Sequence, residues 1–450
     1  MELEKHAFDI INKIESKTAV ICVVGLGQVG LPTALSFLKL GYRVLGYDIN
    51  EKLIRNLEEG IIPIVEKGFT DLLNKFIKSK SFTPSVSSNI LASADVIIIC
   101  VASPLDDTGF AVDMKFITSA IEAVVKYLTT QKLIVIESTL PPGAMKKYII
   151  PLTESLSKKK AGSDFLISFC PERISPGDAL REFNENDRII GANDDKSYLS
   201  TLALFKNITK GKIHRTDTTT SEISKLAENS YRDINIAFAN ELAIICEQSD
   251  SDVQDVIRLA NTHPRVNIHK PGPGVGGPCL PKDPYLLIMG KNFDESIVKT
   301  ARSINDSMPS HVVDILIKSL NSNKISNDKL NVLLLGSSYK PGVNDTRYSP
   351  TRSIVSSLKK EGFQNINLHD PFTEDTLGAK FTSDLDSVLG QADCVIIATA
   401  HSMYSSLATK DFKRHCIIVD AVRLFDKEDF VNSRLTYIPL GVCLSDSEAE

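Results

Sequence analysis

Through the first half of the chain, short apolar runs alternate with longer stretches in which apolar residues recur every three or four positions. That pattern predicts a parallel sheet whose strands are joined by crossover helices. Strands are expected at residues 19–24, 43–47, 96–101, 133–136 and 165–169. Past residue 217 the texture changes. Residues 221–247 contain neither Gly nor Pro and predict one long helix, with Thr218, Thr219 and Thr220 as N-cap candidates. The polar stretch 321–329, rich in Asn and Ser, reads as a linker, and apolar runs return at 332–335, 366–368, 394–398 and 417–419. The expected fold is α/β: two Rossmann-like parallel-sheet domains joined by a long central helix.

Composition supports a globular protein and removes several classes of function. The 450 residues are 42% hydrophobic and 24% charged, with a formal net charge of -5. Such a chain is long enough for two or three domains and carries no basic footprint for nucleic acid. No apolar run approaches the roughly 20 residues that span a bilayer. The first 17 residues alternate charged and apolar positions and do not resemble a signal peptide. A cytoplasmic location without membrane attachment follows as an expectation. The eight cysteines stand singly, without a CxxC pair, so neither a zinc site nor a disulfide framework is suggested. Cys22, Cys100, Cys170, Cys394 and Cys416 fall in or beside apolar runs and read as packing residues.

The segment Gly25-Leu26-Gly27-Gln28-Val29-Gly30 follows the first predicted strand and opens a predicted helix, which is the setting a dinucleotide fingerprint requires. Gly25 permits the tight turn, Gly27 lets backbone approach a pyrophosphate, and Gly30 allows close helix–strand packing. Asp48, at the end of the next strand, suits hydrogen bonding to a ribose and would repel a 2′-phosphate. NAD is therefore expected in preference to NADP.

Cys279 lies in PGPGVGGPCLPKD, residues 271–283, which holds too many Gly and Pro residues for helix or strand. A helix predicted to begin near Pro281, together with Lys282, creates a setting that lowers thiol pKa and favours a nucleophile. An incidental loop cysteine is the alternative. Lys225 and Asn229, four apart, share one face of the predicted long helix, away from Ile223, Leu226, Ile234 and Phe238.

Six ordered blocks resemble the UDP-sugar 6-dehydrogenase family: the glycine fingerprint, Glu137-Ser138-Thr139 with Pro142-Gly143, Pro171-Glu172-Arg173, Lys225-Leu226 with Asn229, Gly276-Gly277-Pro278-Cys279, and Tyr339-Lys340 with Asp345-Thr346-Arg347. The resemblance runs from about Thr18 to Leu440. It implies that Cys279 adds to a C6 aldehyde, that a second oxidation yields a thioester, and that water releases the acid. This division is chemically sensible, because an aldehyde needs an added nucleophile before it can be oxidised further. By the same resemblance Glu172 is an acid/base residue working near Thr139. Lys225 and Asn229 stabilise an oxyanion, and Asp283 orients water near the thiol; for Lys282 a plain surface charge is the alternative to a role beside the thiol. Gly25, Gly27, Gln28, Val29, Gly30, Asp48, Ser103 and Thr139 are the implied NAD contacts. Glu172, Arg173, Lys225, Asn229, Arg265, Gly276, Lys340 and Arg347 are the implied contacts to the UDP-sugar substrate, with Arg265 reaching a neighbouring subunit. A homodimer or higher homo-oligomer is implied.

The expected division is an N-terminal extension (1–17), an NAD-binding domain (18–215), a central helical dimerisation domain carrying the cysteine loop (216–320), a UDP-sugar domain (321–442) and an acidic tail (443–450). The second α/β domain lacks a glycine fingerprint, so no second NAD is expected. Three positions depart from the family pattern: Ser103 where Thr is common, Pro278 where His or Ser often precedes the cysteine, and the stretch Asp420-Ala421-Val422-Arg423. The segments around Glu172-Arg173-Ile174, Asp187-Arg188, Pro264-Arg265 and Gly274-Val275-Gly276 look like the N-acetylhexosamine branch. They rank UDP-N-acetylmannosamine first as substrate, UDP-N-acetylglucosamine second and UDP-glucose third. Competing readings are a single-step hydroxyacid dehydrogenase and a non-catalytic nucleotide-sugar-binding protein.

Overall fold

The structure, a computed structural model, describes residues 2–62, 68–106, 112–129, 131–174, 177–290, 295–327 and 329–443. Ser175 and Pro176, and the expected acidic tail from residue 444 onward, lie outside the described residues. The chain divides into two compact units, Met1–Glu228 and Asn229–Glu450.

The first unit is built on eight strands: β1 (Val20–Val24), β2 (Arg43–Tyr47), β3 (Phe82–Ser85), β4 (Val96–Ile99), β5 (Leu133–Ile136), β6 (Leu166–Phe169), β7 (Arg188–Gly191) and β8 (Ile213–Thr216). They lie in the order β3-β2-β1-β4-β5-β6-β7-β8. The first six run parallel, β7 is antiparallel to β6, and β8 is parallel to β7. In β1, Ile21 and Val23 pack into one buried cluster and Cys22 and Val24 into another. Both faces of the sheet are covered, so these strands read as continuous apolar runs.

A helix at Glu2–Glu15 completes the first cluster, with Ile10 and Ile14 buried beside Leu204 and Phe205. The Tyr42 hydroxyl donates to the Ile14 carbonyl at 2.9 Å, and Lys13 pairs with Asp95 at 2.8 Å. The N-terminal extension is therefore part of the first unit's core.

In the second unit β9 (Asn331–Leu335), β10 (Asn365–His369), β11 (Lys380–Phe381), β12 (Cys394–Ile397), β13 (Ile417–Asp420) and β14 (Thr436–Pro439) form an all-parallel sheet in the order β11-β10-β9-β12-β13-β14. Val332 and Leu334 point into one cluster and Leu333 and Leu335 into the other.

The central helix spans Thr218–Glu247. Its start differs from expectation. The capping side chain is Asp217, which accepts from the Thr220 N–H at 3.0 Å and the Thr220 hydroxyl at 2.6 Å, and the three threonines lie inside the first turn. A carboxylate there also meets the positive end of the helix dipole. The expected linker at 321–329 begins later too, because the helix Ile297–Ser322 carries through its first two residues.

Ile14 is fully buried, so Ile14→Ala is expected to lower unfolding free energy by about 2–5 kcal/mol. Urea unfolding measures it. A loss well below that range would mean that the N-terminal helix does not contribute to the core.

Candidate active site

Ligands of open parallel sheets bind beyond the carboxyl ends of the strands, at the point where strand order reverses. In the first sheet that point lies between β1 and β4. Gly25 follows β1 directly, in a left-handed conformation with φ +87°. A Cβ at Gly30 would fall 1.8 Å from the Gly25 carbonyl oxygen, whereas a Cβ at Gly27 would meet nothing within 4 Å. Protein packing thus requires glycine at position 30 and does not require it at 27. The open side of Gly27 fits a group approaching the backbone at the start of the helix Gly30–Lys39, whose N-terminus has no side-chain cap. Gln28 and Val29 complete this turn. Asp48 accepts from the Leu26 N–H at 2.8 Å and from the Asn50 N–H at 2.9 Å, which pins its carboxylate beside the glycine turn. Ser103 follows β4 and is buried, and Thr139 follows β5 and is half-buried. These residues gather at the edge that a dinucleotide would use.

Glu172 follows β6 at the same edge and is buried, not solvated. One of its oxygens accepts from the Arg173 N–H at 2.8 Å. The other lies 3.6 Å from Arg188 Nη1, which is also 3.8 Å from Glu137 Oε1. The opposite oxygen of Glu137 accepts from the Thr33 hydroxyl at 3.0 Å and the Cys100 thiol at 3.2 Å. Burial, then the charge of Glu172, push the Glu137 carboxyl up to about 7 against the pull of Arg188. Arg188 was expected only as part of a branch motif, and no role was assigned to Glu137. A charged residue at the end of an uninterrupted apolar strand was the available signal.

The central helix carries the next group. Glu222 is buried and accepts from the Gly143 N–H at 2.5 Å and the Met145 N–H at 2.7 Å. It ties the helix to the loop after Thr139, and burial pushes its carboxyl up to about 7. Arg173 donates to Glu228 at 3.1 Å through Nε, lies 2.6 Å from the same carboxylate through Nη2, and donates to the Asp187 carbonyl at 2.8 Å. These bonds engage its guanidinium within the protein. Lys225 is half-buried one turn before Asn229. Of the four apolar positions expected on a separate face, Leu226 is buried, but Ile223 and Phe238 are 42% and 49% exposed.

In the second unit, Cys279 is exposed, whereas Cys22, Cys100, Cys170, Cys246, Cys394 and Cys416 are buried and Cys443 is intermediate. The Cys279 carbonyl accepts from the Lys282 N–H at 3.0 Å and the Asp283 N–H at 2.8 Å, a turn that leads into the helix Asp283–Ile288. That helix starts two residues later than expected. Asp283 is fully buried and accepts from the Asn229 amide at 2.6 Å. Lys282 is buried as well, 3.7 Å from the other Asp283 oxygen, so it is not a surface charge. A Cβ at Gly276 would lie 2.7 Å from Tyr339 Cβ, and one at Gly277 would lie 2.7 Å from its ring. The loop before Cys279 can sit there only as glycine.

The loop after β9 places Lys340 half-buried. Arg347 is held by Asp345, through Nε at 2.9 Å and Nη2 at 2.5 Å. Burial pushes the Tyr339 phenol up to about 12. Arg265 is exposed. Arg423 grips Asp252 at 2.8 Å and the Leu440 carbonyl at 3.1 Å, a structural role consistent with its departure from the family pattern. Among the described residues, no helix is long and apolar enough to cross a membrane. No group of three or more His, Cys, Asp or Glu side chains among them could hold a metal ion.

In the first unit a glycine turn with a pinned carboxylate and buried acid groups share one sheet edge, and in the second an exposed thiol sits on a glycine-dependent loop; the class these features fit is a dinucleotide-dependent dehydrogenase with a candidate cysteine nucleophile. The chain belongs to the UDP-glucose/GDP-mannose dehydrogenase family: the NAD-binding domain of that family matches residues 19–209, its central domain 219–307 and its UDP-binding domain 333–427. The cofactor is NAD. A UDP-N-acetyl-D-mannosamine dehydrogenase of Methanococcus maripaludis is 36% identical over 436 residues, 96% of each chain. One from Methanocaldococcus jannaschii is 38% identical over 92% of this chain and 93% of its own. The solved structure of the Pyrococcus horikoshii UDP-D-ManNAc dehydrogenase superposes with a TM-score of 0.88 at 36% identity, covering 94% of this chain and 99% of that one.

The two glycines separate folding from cofactor binding. Gly27→Ala is expected to leave stability within about 0.5 kcal/mol while raising the KM for NAD, and Gly30→Ala to prevent stable folding. Thermal unfolding and steady-state kinetics on the pair decide it; an unchanged KM in Gly27→Ala would remove the pyrophosphate role.

Proposed function

We propose that the chain oxidises the C6 alcohol of UDP-N-acetylmannosamine twice, to the uronate, through a thioester on Cys279. The observation that carries this reading is the exposed Cys279 thiol on a loop fixed by its own carbonyl turn and by the Asn229–Asp283 bond. UDP-N-acetylglucosamine and then UDP-glucose remain the ranked alternatives. The sugar assignment rests on the N-acetylhexosamine-like segments and on the names of the relatives above.

The turn at Gly25, Gly27, Gln28, Val29 and Gly30, with Asp48, Ser103 and Thr139, would hold NAD, and two NAD molecules bound in turn would supply the hydride acceptor for the two oxidations at C6. Glu172 takes the proton of the C6 hydroxyl as the aldehyde forms. Cys279 then adds to the aldehyde carbon, forming a C–S bond and a thiohemiacetal oxygen that Lys225 stabilises. Loss of the second hydride gives the thioester. Water attacks that carbon, the C–S bond breaks, and the acid and the Cys279 thiolate are released. Asn229 has one amide hydrogen on Asp283, so its first task is to position Asp283 under the cysteine turn; its remaining hydrogen can serve the oxyanion. Lys340 and Arg347 bind the diphosphate, and Gly276 leaves room beside Tyr339. Arg173 acts by holding the Glu172 loop to Glu228.

Ile223, Tyr231, Phe238 and Ile245 lie at intervals of about two helical turns on the central helix and are 42%, 59%, 49% and 50% exposed. An apolar stripe of this kind needs a cover. A second copy, paired about a twofold axis, supplies one and lets the exposed Arg265 reach a partner's substrate. The cytoplasm, where NAD and nucleotide sugars occur, is the expected location.

Counting NADH formed per UDP-sugar consumed tests the reaction: two supports it, one indicates a single-step dehydrogenase, and none a binding protein. Cys279→Ser is expected to abolish uronate release while the Kd for NAD changes less than about threefold. Release at the parent rate would refute the nucleophile.

A further inference from the structure

We propose that Glu137 is a positioning residue for Glu172: by carrying a proton it leaves Arg188 a single ionised partner and keeps Glu172 oriented as the base. This rests on the reading of Glu172 given above.

The geometry places two carboxylates around one guanidinium. Arg188 Nη1 lies 3.6 Å from Glu172 Oε2 and 3.8 Å from Glu137 Oε1. Both of those oxygens are buried and accept no hydrogen bond among the described residues. The remaining Arg188 contacts close the site. Nε donates to the Thr209 hydroxyl at 3.2 Å, Nη2 to the Phe183 carbonyl at 3.1 Å and Nη1 to the Cys170 sulfur at 3.8 Å. The rings of Phe183 and Phe205 lie 4.4 and 4.3 Å from the guanidinium carbon. From the helix Gly30–Lys39 and from the end of β4, Thr33 and Cys100 face Glu137. Burial and the neighbouring Glu137 keep the Cys100 thiol protonated, and burial pushes the Cys170 thiol up to about 12.

With both carboxylates ionised the cluster would carry a net negative charge. Its side chains are only 0% (Glu137), 6% (Glu172) and 6% (Arg188) exposed. An uncompensated charge in such a place is expensive, and a bound proton removes it. Glu137 is the more buried acid and the farther from Arg188. Thr33 and Cys100 both donate to its Oε2, so Oε1 is the atom left to carry hydrogen. When Glu137 ionises, Arg188 is shared between two anions, and Glu172 loses its exclusive partner. Glu137 thereby tunes a residue that it does not replace.

The test is the ratio of Glu137→Gln to parent kcat/KM as pH rises from about one unit below neutrality to one above. Glutamine keeps the acceptor for Thr33 and Cys100 but cannot ionise. The ratio is expected to rise roughly threefold or more, because only the parent loses the exclusive Arg188–Glu172 pair; ionisations common to both enzymes cancel in the ratio. A constant ratio, whatever its size, would make Glu137 merely structural and overturn the proposal. If Glu137→Gln does not fold, Thr33→Val examines the same point: loss of the donated hydrogen bond makes the Glu137 carboxylate harder to form, so the parent's inflection moves to higher pH. An inflection that stays in place overturns it. Glu172→Gln separates this inference from the one beneath it: loss of turnover at every pH supports Glu172 as the base, and full turnover overturns that assignment regardless of the Glu137 profiles.

Discussion

Close backbone approach is the constraint on which both halves of the chemistry depend. In the first unit the Gly25 carbonyl stands where a Gly30 side chain would be, and this contact sets the helix Gly30–Lys39 against the end of β1. In the second unit the Tyr339 ring and the backbone of Tyr348 stand where side chains of Gly277 and Gly276 would be. That contact sets the position of the loop that presents Cys279. Each reactive element is thus held by a surface that tolerates no Cβ, and loops so constrained can present a ligand site without relying on flexible side chains. Gly27 is the exception: a Cβ there would meet nothing within 4 Å, so packing within the chain does not demand a glycine.

The two sheets use one local device. After β2, Asp48 receives the N–H of Leu26; after β10, Asp370 receives the N–H groups of Ser337 and Ser338 at 2.8 Å. Asp48 is half-buried, and each of its oxygens takes one N–H. Asp370 is enclosed, with His401 Nε2 at 3.1 Å on the oxygen that takes the serine N–H groups and the Phe372 N–H on the other. Burial pushes its proton affinity upward, but His401 and the donated N–H bonds outweigh this and hold it well below the usual carboxylate range. The two corresponding aspartates therefore both brace the turn after the first strand of their sheet, Asp48 remaining partly open and Asp370 closed in.

Much of this organisation was legible in the residues. Strands buried on both faces, such as β1, β4, β5 and β12, announce themselves as apolar runs, and the glycine turn and the Cys279 loop stand out because their composition excludes regular structure. Five strands went unnoticed, for physical reasons: β3 contains a proline, β8 is largely exposed, β11 has two residues, and β7 and β14 are four-residue strands that open on a polar residue and end on Gly and Pro respectively. Glu222, Glu228 and Arg188 could not have been assigned from local pattern. Glu222 bonds to Gly143, 79 residues away, Glu228 to Arg173, 55 away, and the nearer carboxylate partner of Arg188 is Glu172, 16 away. The exposure of Ile223 and Phe238 was missed for a related reason, because apolar periodicity identifies a face without saying what covers it.

A second arginine shows why the Glu137–Arg188–Glu172 group is unusual. Arg302 also serves two carboxylates, Asp233 through Nη1 at 2.6 Å and Asp306 through Nη2. Asp233 is fully buried there too, but Asp306 is 58% exposed. Water can stabilise the surplus negative charge through Asp306, and Asn305 adds a donor to Asp233 at 2.9 Å. Around Arg188 neither acid reaches solvent in that way, and the oxygens that face the guanidinium accept no hydrogen bond among the described residues. Asp233 also has one buried oxygen without a donor, so the difference is that at Arg188 the whole surplus charge is enclosed, where it carries its full desolvation cost. Placed at the carboxyl edge of the sheet, beside the residue assigned to proton transfer, that cost is better understood as the condition for an acid whose charge can change.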